Sequence, residues 1–322
     1  MANENIIEVK NLKKYFKTGY GMLHAVDDVS FNIKKGQTLG VVGESGCGKS
    51  TLGRVMIHLL DATSGQVMFN GQDVTKAQKK ALFELRKDMQ IIFQDPFSSL
   101  DPRMTVSEII AEPFHIYKTL KSRAEIEKRT EQLMDTVGLA KRLAHSYPHE
   151  LDGGRRQRIG VARALSLNPK FIVCDEPVSA LDVSIQAQIL NLMQDLQEQM
   201  GLTYVFITHD LSVVKHISDE IMVMYLGCVV EKCQADELFA NHLHPYTKGL
   251  LSAIPIPRIG ANKKRILLQG ELSSPIDPKP CCRFASRCPY AKEACWERQP
   301  ELEEIRPGHF VACHFSKEIN GI

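Results

Sequence analysis

Apolar residues in the first 250 positions of the chain come in short runs, which polar and glycine-containing stretches separate. A run of about four to eight mostly apolar residues has the length of a buried strand. The pattern over residues 6–9 alternates in the manner of an edge strand, and Asn70-Gly71 is typical of a hairpin turn. The runs predict strands at residues 6–9, 25–33, 38–42, 66–69, 89–93, 171–174, 204–207 and 220–226.

Between these runs, apolar residues recur at the spacing of amphipathic helices. The spacing predicts helices at residues 51–60 and 122–137, the second within a charged, helical stretch that extends from about 95 to 163. A third predicted helix starts after Asp182, a candidate cap, and stops at Gly201. Strands that alternate with helices predict an α/β fold with a parallel sheet, in which sites form at the carboxyl ends of the strands.

The turn after the run at 38–42 has the pattern G-x-x-x-x-G-K-[ST], which is typical of a phosphate-binding loop between a strand and a helix. Its glycines let backbone N–H groups point at phosphate oxygens, and the helix start adds a favourable dipole. We expect Lys49 to reach the β- and γ-phosphates and the Ser50 hydroxyl to ligate Mg²⁺. The candidate nucleotide site therefore includes Gly43, Glu44, Ser45, Gly46, Cys47, Gly48, Lys49, Ser50 and Thr51.

Polar residues at the ends of three later runs complete this candidate site. Asp175 and Glu176 follow the run at 171–174, where Asp175 is suited to hold Mg²⁺ through water and Glu176 to orient and deprotonate the attacking water. Gln94 is suited to contact the metal and the water, and His209 to donate to the γ-phosphate. A lone glutamine or histidine is more often structural, but their order after a phosphate loop favours a catalytic role.

Composition narrows the class of protein. The 322 residues are 43% hydrophobic, which is enough for a sizeable core in more than one domain. A net charge of +2 without a basic block argues neither for nor against nucleic acid. The polar N-terminus lacks the apolar segment of a signal peptide, and no apolar run approaches the ~18 residues of a membrane span. We therefore expect a cytosolic protein whose nine cysteines do not form disulfides.

Two further motifs accompany these residues, namely Leu151-Asp152-Gly153-Gly154-Arg155 and Ser179-Ala180-Leu181-Asp182. Together with residues 43–50, Gln94, Asp175-Glu176 and His209, they resemble the motifs of ABC-type transporter ATPases, in the same order over roughly residues 5–250. The resemblance implies ATP and Mg²⁺ as cofactors, with Ser50, Gln94 and Asp175 at the metal. It also implies a P-loop ATPase core with a parallel sheet, an N-terminal antiparallel β subdomain and a helical subdomain inserted at about 95–162.

The resemblance further implies how the nucleotide is enclosed. In this family the adenine stacks on an aromatic residue near the N-terminus; Phe16 fits that place best and Tyr15 is the alternative, while ordinary strand packing is the other role open to either ring. The ATPases of the family act as head-to-tail pairs, in which each nucleotide lies between one chain's phosphate loop and the other chain's signature loop. The loop that ends at Asp182 resembles the one through which the two sites communicate.

The signature loop departs from the family's usual Leu-Ser-Gly-Gly-Gln, because Asp152 and Arg155 replace the serine and the glutamine. The serine normally donates to the γ-phosphate of the partner's nucleotide. An ionised Asp152 cannot donate, and unscreened it would repel the phosphate by about 4 kcal/mol at ~4 Å and an effective dielectric constant of ~20. Arg155 can offset this repulsion, which leaves the net sign open. Gly153, Gly154 and the helix start after them still permit anion binding there.

Longer stretches at 43–54, 94–103, 175–184 and 244–251 resemble the oligopeptide and dipeptide import branch, and within it the F-type rather than the D-type ATPase. The implied function is to power peptide import by ATP hydrolysis, at the cytoplasmic face of a cell membrane that the chain does not enter. The implied partners are a D-type ATPase in a heterodimer, two permease subunits and an extracytoplasmic peptide-binding protein, but no nucleic acid. Nickel or another small solute is the alternative cargo. A soluble non-transport ABC ATPase and a regulatory subunit with little hydrolysis are rival hypotheses.

Five of the nine cysteines lie between positions 281 and 313. Cys282, Cys288, Cys295 and Cys313 are separated by five, six and seventeen residues, and so many thiols in a short stretch indicate a metal site. The spacing lacks the two-residue knuckles of zinc sites, and the importer branch is associated with a [4Fe–4S] cluster in this tail. We expect the cluster in a C-terminal domain at 254–322, which follows an ATPase domain at 1–253; zinc and free thiols are the alternatives.

Overall fold

The computed structural model of the protein describes residues 5–95, 97–254, 265–268, 270 and 274–322. These residues form two compact units. The first unit draws on residues 1–33, 37–75 and 206–322, and the second on residues 34–36 and 76–205. The phosphate loop predicted at 43–50 therefore belongs to the first unit, and Gln94, Asp175 and Glu176 belong to the second.

Strands and helices alternate along most of the described chain. The strands are β1 (Asn5–Thr18), β2 (Gly21–Lys34), β3 (Thr38–Val42), β4 (Ser64–Phe69), β5 (Gln72–Asp73), β6 (Met89–Ile92), β7 (Phe171–Asp175), β8 (Thr203–Thr208), β9 (Glu220–Tyr225), β10 (Cys228–Gln234), β11 (Glu303–Arg306) and β12 (His309–Val311). The helices are α1 (Lys49–Met56), α2 (Lys79–Asp88), α3 (Val106–Tyr117), α4 (Arg123–Thr136), α5 (Gly153–Leu165), α6 (Val183–Met200), α7 (Leu211–Ile217), α8 (Ala235–Asn241), α9 (Pro245–Ser252), α10 (Glu293–Glu297) and α11 (Ser316–Asn320).

The N-terminal strands form an antiparallel sheet in the order β2-β1-β4-β5. Strand β1 lies between β2 and β4, so the prediction of an edge strand at residues 6–9 is wrong. The strand is also longer than its alternating pattern, because the polar residues after Val9 remain extended and continue to pair with β4 through the backbone. The predicted hairpin is confirmed, since Asn70 and Gly71 have φ angles of 47° and 77° and β4 pairs antiparallel with β5.

In the first unit, strands follow the order β11-β12-β10-β9-β3. Strand β3 runs parallel to β9, whereas β9, β10 and β12 pair antiparallel with their neighbours. In the second unit, β6 runs parallel to β7. Every residue of β3, β7 and β8 is buried, which explains why these strands appear in the sequence as continuous apolar runs rather than as alternating ones.

Helices α3, α4 and α5 come between β6 and β7, in the stretch that the sequence predicts to be helical. Thr105 and Ser122 cap α3 and α4, and in each case a glutamate three residues later completes a capping box. Helix α6 ends at Gly201 in the left-handed conformation, as predicted, with φ 65°. Asp182 occupies the cap position of α6, but its side chain makes no hydrogen bond to the helix.

The described part of the C-terminal tail packs on strands of the first unit. Ile276 forms a bridge with Leu23 of β2, and β12 pairs with β10. The expected domain boundary at 253/254 adjoins residues 255–264, which lie outside the described residues, so it stays a prediction. The expected bounds of the inserted subdomain, 95–162, also stay a prediction. Among the described residues, no helix is both long enough and apolar enough to cross a membrane.

A buried carboxylate joins the tail to the rest of the first unit. Glu231 on β10 accepts the backbone N–H groups of Leu243 and His244 at 2.6 and 3.1 Å. The same carboxylate lies 2.8 Å from Nε2 of His309 on β12. Burial acts to raise the pKa of Glu231, but hydrogen bonds, above all the one from His309, outweigh it and hold the pKa below its ordinary value. An ionised Glu231 therefore anchors β12 of the tail.

The side chain of His244, which caps α9, makes stability depend on pH. Its Nδ1 accepts the N–H of Tyr246 at 3.1 Å, so the ring is neutral in the folded protein. Burial lowers its pKa to about 4, although the charge of Glu231 acts in the opposite direction. A histidine in the unfolded chain titrates near ~6.5, so acidification protonates the unfolded chain first. Stability is therefore lost as the pH falls from about 6.5 towards 4.

The variant His244→Asn removes this titration and keeps a side chain that caps helices well. Between about pH 6 and pH 5, we expect the free energy of unfolding of the parent to fall by about 1 kcal/mol per pH unit more than that of the variant. Urea denaturation of both full-length proteins at several pH values measures this difference. Identical pH slopes for the two proteins would contradict the lowered pKa.

Candidate nucleotide-binding site

The phosphate loop, residues 43–50, joins β3 to α1 and lies tightly against neighbouring backbone. Gly43 and Gly48 have φ angles of 155° and 105°. A Cβ atom on Gly43 would lie 2.2 Å from the carbonyl oxygen of Met224, and one on Gly48 would lie 1.9 Å from that of Ala25. Both positions require glycine, because any side chain would collide with backbone that cannot move aside.

The ammonium group of Lys49 lies inside the curve of the loop. Lys49 is only 4% exposed, and its Nζ donates to the carbonyl oxygens of Gly43 at 2.9 Å and Glu44 at 3.0 Å. The buried thiol of Cys47 lies 3.8 Å from the same nitrogen, and burial raises its pKa. The other predicted loop residues are placed around this centre: Ser45 and Gly46 are exposed, whereas Ser50 and Thr51 are half-buried on the first turn of α1.

Glu44 has contacts that the sequence does not indicate. Its backbone N–H donates to the hydroxyl of Tyr246 at 2.9 Å, and its carboxylate receives both terminal nitrogens of Arg287 at 2.7 and 3.1 Å. Tyr246 lies in the stretch 244–251 that contributes to the family resemblance, which is the one signal that could have singled it out. Nothing in the sequence marks Arg287 as a neighbour of the loop.

In the second unit, the structure brings Gln94 and Glu176 together. The amide nitrogen of Gln94 donates to the carboxylate of Glu176 at 2.9 Å. Glu176 follows β7 directly and has φ 48°, an uncommon conformation for a residue other than glycine. Asp175, the last residue of β7, is buried. The strand therefore ends with two carboxylates, of which Glu176 is bonded to the amide of Gln94.

His209 and Asp182 stand at element boundaries. His209 follows β8 directly and is exposed, and the next residue, Asp210, caps α7 by accepting the N–H of Ser212 at 2.7 Å. Asp182 is exposed at the start of α6. The predicted residues thus form two sets: His209 and the phosphate loop are in the first unit, and Gln94, Asp175, Glu176 and Asp182 are in the second.

The two candidate aromatic residues on β1 differ in their contacts. Tyr15 donates its hydroxyl to Asp27, and its ring stacks on His24 with 3.8 Å between the centroids. Burial and the hydrogen bond to Asp27 raise the pKa of Tyr15. Phe16 is half-buried, and the ammonium group of Lys14 lies 4.8 Å from the centroid of its ring. One face of the Tyr15 ring is therefore covered by protein.

In the signature loop, Asp152 acts as the N-cap of α5. One oxygen of its carboxylate accepts the N–H of Arg155 at 2.8 Å, and the other lies 3.2 Å from the guanidinium of the same residue. The charge of Asp152 therefore has a positive partner three residues away. Arg155 also lines a cleft of about 300 Å³ with Arg142 and Arg158. Gly154 is packed closely, since a Cβ there would lie 2.6 Å from the side chain of Ile185.

The tail cysteines lie in the first unit. Burial raises the pKa of Cys282 to about 12 and that of Cys313 to about 11, and it also raises the pKa of Cys288. Each of these three sulfurs accepts a backbone N–H, which acts to lower its pKa but is outweighed by burial. Cys295 is buried. Among the residues that the structure describes, however, no three His, Cys, Asp or Glu side chains are arranged to hold a metal ion.

Alignments with known proteins cover nearly the full length of this chain. Residues 26–179 match the family model "ABC transporter", and residues 230–295 match "Oligopeptide/dipeptide transporter, C-terminal region". The chain is 53% identical over 321 residues to the oligopeptide transport ATP-binding protein AppF of Bacillus subtilis, with 97% of each chain covered. The chain belongs to the ABC transporter family. As ATP-binding proteins of this family are ATPases, the predicted ATPase activity is confirmed.

Other ABC transporter proteins support the same assignment. The oligopeptide transport ATP-binding protein OppF of Bacillus subtilis is 52% identical, with 96% of each chain covered. The OppF protein of Salmonella typhimurium is 53% identical, with 95% of this chain and 92% of the relative covered.

Solved structures of ABC proteins resemble the fold. The ATP-binding cassette MJ0796, in a dimeric post-hydrolysis state with ADP and Pi, has a TM-score of 0.66 and 31% identity, and the match covers 71% of this chain and 98% of the cassette. A second dimeric structure of the same cassette has a TM-score of 0.65 and 32% sequence identity. The predicted ABC ATPase fold is thereby confirmed. The match leaves part of this chain uncovered, and the cysteine-rich extension is not confirmed by it.

Proposed function

We propose that this ABC ATPase powers the import of oligopeptides or dipeptides across the cell membrane. The observation that carries the proposal is the 53% identity to an oligopeptide transport ATP-binding protein over 97% of the chain. The match of residues 230–295 to the C-terminal region of peptide transporters also supports it. The names of the relatives favour peptides over nickel or another small solute, and they argue against a soluble ABC ATPase outside transport.

In this proposal, the phosphate loop binds the phosphates of ATP. Its backbone N–H groups and the start of α1 supply hydrogen bonds and a favourable dipole. The ammonium of Lys49 supplies a full positive charge from inside the loop, where the carbonyls of Gly43 and Glu44 hold it. Thr51, on the first turn of α1, is the last residue of this proposed nucleotide-binding set.

Ser50, Gln94 and Asp175 are the proposed ligands of Mg²⁺, directly or through water. Their donor atoms are hydroxyl, amide and carboxylate oxygens, which are the ligands that this hard cation prefers. The donor set therefore fits the ion. When bound, Mg²⁺ neutralises negative charge on the phosphates. The buried position of Asp175 at the end of β7 restricts the movement of its carboxylate.

Glu176 is the proposed base that accepts a proton from the attacking water. The hydrogen bond that Gln94 donates at 2.9 Å orients the Glu176 carboxylate, which supports a shared role for the two side chains. His209, exposed directly after β8, is proposed to donate to the γ-phosphate. For the adenine, Phe16 is the better supported ring, because Tyr15 already stacks on His24.

A second ABC ATPase completes the proposed site in a head-to-tail pair. Asp152, Gly153 and Gly154 would face the nucleotide held by the partner, and Asp182 lies in the loop through which the two sites would communicate. A D-type ATPase as the partner, in a heterodimer, is the most specific form of this proposal. The dimeric state of the similar cassette MJ0796 supports pairing, although not the identity of the partner.

The remaining partners follow from peptide import. Two permease subunits would carry the peptide through the membrane, and an extracytoplasmic binding protein would deliver it to them. The chain itself would bind to the permeases at the cytoplasmic face, as a peripheral subunit that does not contact nucleic acid.

We also propose a [4Fe–4S] cluster at Cys282, Cys288, Cys295 and Cys313. The number of thiols and the backbone N–H bonds to three of the sulfurs support it, because such bonds stabilise sulfur that carries negative charge. Among the described residues, the side chains are not arranged to hold a metal ion. The proposed mechanism of ATP hydrolysis therefore does not involve the cluster. Without a metal, burial keeps Cys282, Cys288 and Cys313 as protonated thiols at neutral pH.

The variants Lys49→Ala and Glu176→Gln should separate ATP binding from hydrolysis. Without the ammonium, we expect ATP affinity to fall by about tenfold or more, since a charge-assisted contact to phosphate is lost. Without the Glu176 carboxylate, hydrolysis should fall by about 10²–10⁴-fold while ATP still binds.

Both variants are measured in the assembled transporter, by ATP binding and by peptide-stimulated hydrolysis. Glu198→Gln is the matched control. It replaces a glutamate by a glutamine, as Glu176→Gln does, but at an exposed position of α6 outside the proposed site. A Glu176→Gln transporter that hydrolyses ATP at the parental rate would show that Glu176 is not the base.

Full-length protein purified without oxygen should contain iron and sulfide and absorb visible light as a brown solution. Cys288→Ser should abolish the absorbance, because each thiolate holds one iron of the cluster. Cys228→Ser is the control and should leave the absorbance unchanged, since Cys228 lies on β10 outside the proposed set. Bound zinc, or anaerobic protein without metal, would refute the cluster.

A further inference from the structure

The C-terminal tail contacts the phosphate loop through an ion pair that includes two hydrogen bonds. The two terminal nitrogens of Arg287 lie 2.7 and 3.1 Å from the carboxylate oxygens of Glu44, which is 243 positions away in the sequence. Only 8% of the Arg287 side chain and 29% of the Glu44 side chain are exposed. Because Arg287 is buried, water and salt screen this pair less than they screen an ion pair between two exposed side chains.

Glu44 connects this ion pair to the ammonium of Lys49. Its three polar groups all have partners: the N–H donates to Tyr246 Oη at 2.9 Å, the carbonyl accepts from Lys49 Nζ at 3.0 Å, and the carboxylate accepts from Arg287. The side chain of Glu44 is thus bonded to the tail, while its backbone is bonded to Tyr246 and to Lys49. One residue of the loop is therefore in contact with both the tail and the ammonium of Lys49.

Aromatic packing fixes the position of Arg287. Phe284, three residues earlier, is 1% exposed, and its ring centroid lies 5.2 Å from that of Tyr225 and 5.5 Å from that of Tyr246. The hydroxyl of Tyr225 also lies 3.5 Å from Arg287. Among the described residues, the buried Nε of Arg287 has no hydrogen-bond partner. The guanidinium therefore depends on Glu44 for the compensation of its charge.

We propose that Arg287 is a positioning residue of the ATP site, which holds Glu44 and so preorganises the phosphate loop around Lys49. The inference rests on the proposed role of that loop in ATP binding. A loop that is already ordered loses less conformational entropy when the nucleotide arrives. Loss of the pair should raise the Kd and the KM for ATP but change kcat little, because the bound phosphates themselves hold Lys49 in place.

The test compares Arg287→Met and Arg287→Lys with the control Arg306→Met. Arg306 is another tail arginine, but it pairs with Glu237 of α8 at 3.5 Å, so its loss leaves the loop contacts unchanged. We expect Arg287→Met to bind a fluorescent ATP analogue about tenfold more weakly than the parent, as full-length protein. Arg287→Lys should recover part of the affinity, because it keeps the charge but not the two-pronged geometry. Arg306→Met should match the parent.

A double variant isolates the pair from other effects. Arg287→Met with Glu44→Gln should bind ATP no more weakly than Arg287→Met alone, because removing Glu44's charge has no further cost once its partner is gone. In the assembled transporter, the KM for ATP should rise in Arg287→Met while kcat stays within about threefold of the parent.

The proposal is overturned if Arg287→Met keeps Kd and KM within about twofold of the parent, or if Arg306→Met loses as much affinity. A lower melting temperature with unchanged ATP affinity would also overturn it, since the pair would then only stabilise the tail. If Arg287→Met does not fold, Arg287→Lys and Glu44→Gln decide in the same way. The variant Lys49→Ala distinguishes failure of the proposed ATP site from failure of this inference. If Lys49→Ala binds ATP with parental affinity, the ATP site itself is refuted. If Lys49→Ala loses affinity but Arg287→Met does not, only the role of Arg287 is refuted.

Discussion

A buried ammonium group needs oxygen atoms around it, and the loop at 43–50 meets this need for Lys49 with its own backbone. Two carbonyls accept hydrogen bonds from Nζ, and they can do so because the loop curls tightly at Gly43 and Gly48, where no side chain fits. Residues outside the loop also bond to it. Glu44 of the loop makes hydrogen bonds to Tyr246 of α9 and to Arg287 of the C-terminal tail.

Much of the fold follows from patterns that the sequence displays openly. Strands β3 and β7 are predicted almost to the residue, because a strand buried on both faces must be apolar throughout. Helix α4 is predicted from its charged, helically spaced pattern, and the structure adds a capping box at Ser122 that fixes where the helix starts. Strand β1 differs from its prediction, since backbone pairing on both sides keeps its polar second half extended where side-chain alternation gives no signal.

The candidate site is only partly predictable for a related reason. Residues next to strand ends can be found from the sequence, and the structure does bond Gln94 to Glu176. The partner of Glu44 could not be found, because 40 Lys and Arg residues and 38 Asp and Glu residues offer many pairings, and charge alone does not select one that is 243 positions away. Asp152 shows the same limit: its role as the cap of α5, beside Arg155, depends on local geometry rather than on residue type.

The central claim is that ATP hydrolysis by this chain drives the uptake of peptides. The most direct measurement is uptake of a radiolabelled oligopeptide and of nickel by cells that lack the chain, with and without the gene restored. We predict that the deletion abolishes peptide uptake, that restoring the gene recovers it, and that nickel uptake is the same in all strains. Normal peptide uptake with a loss of nickel uptake in the deletion strain would contradict the account.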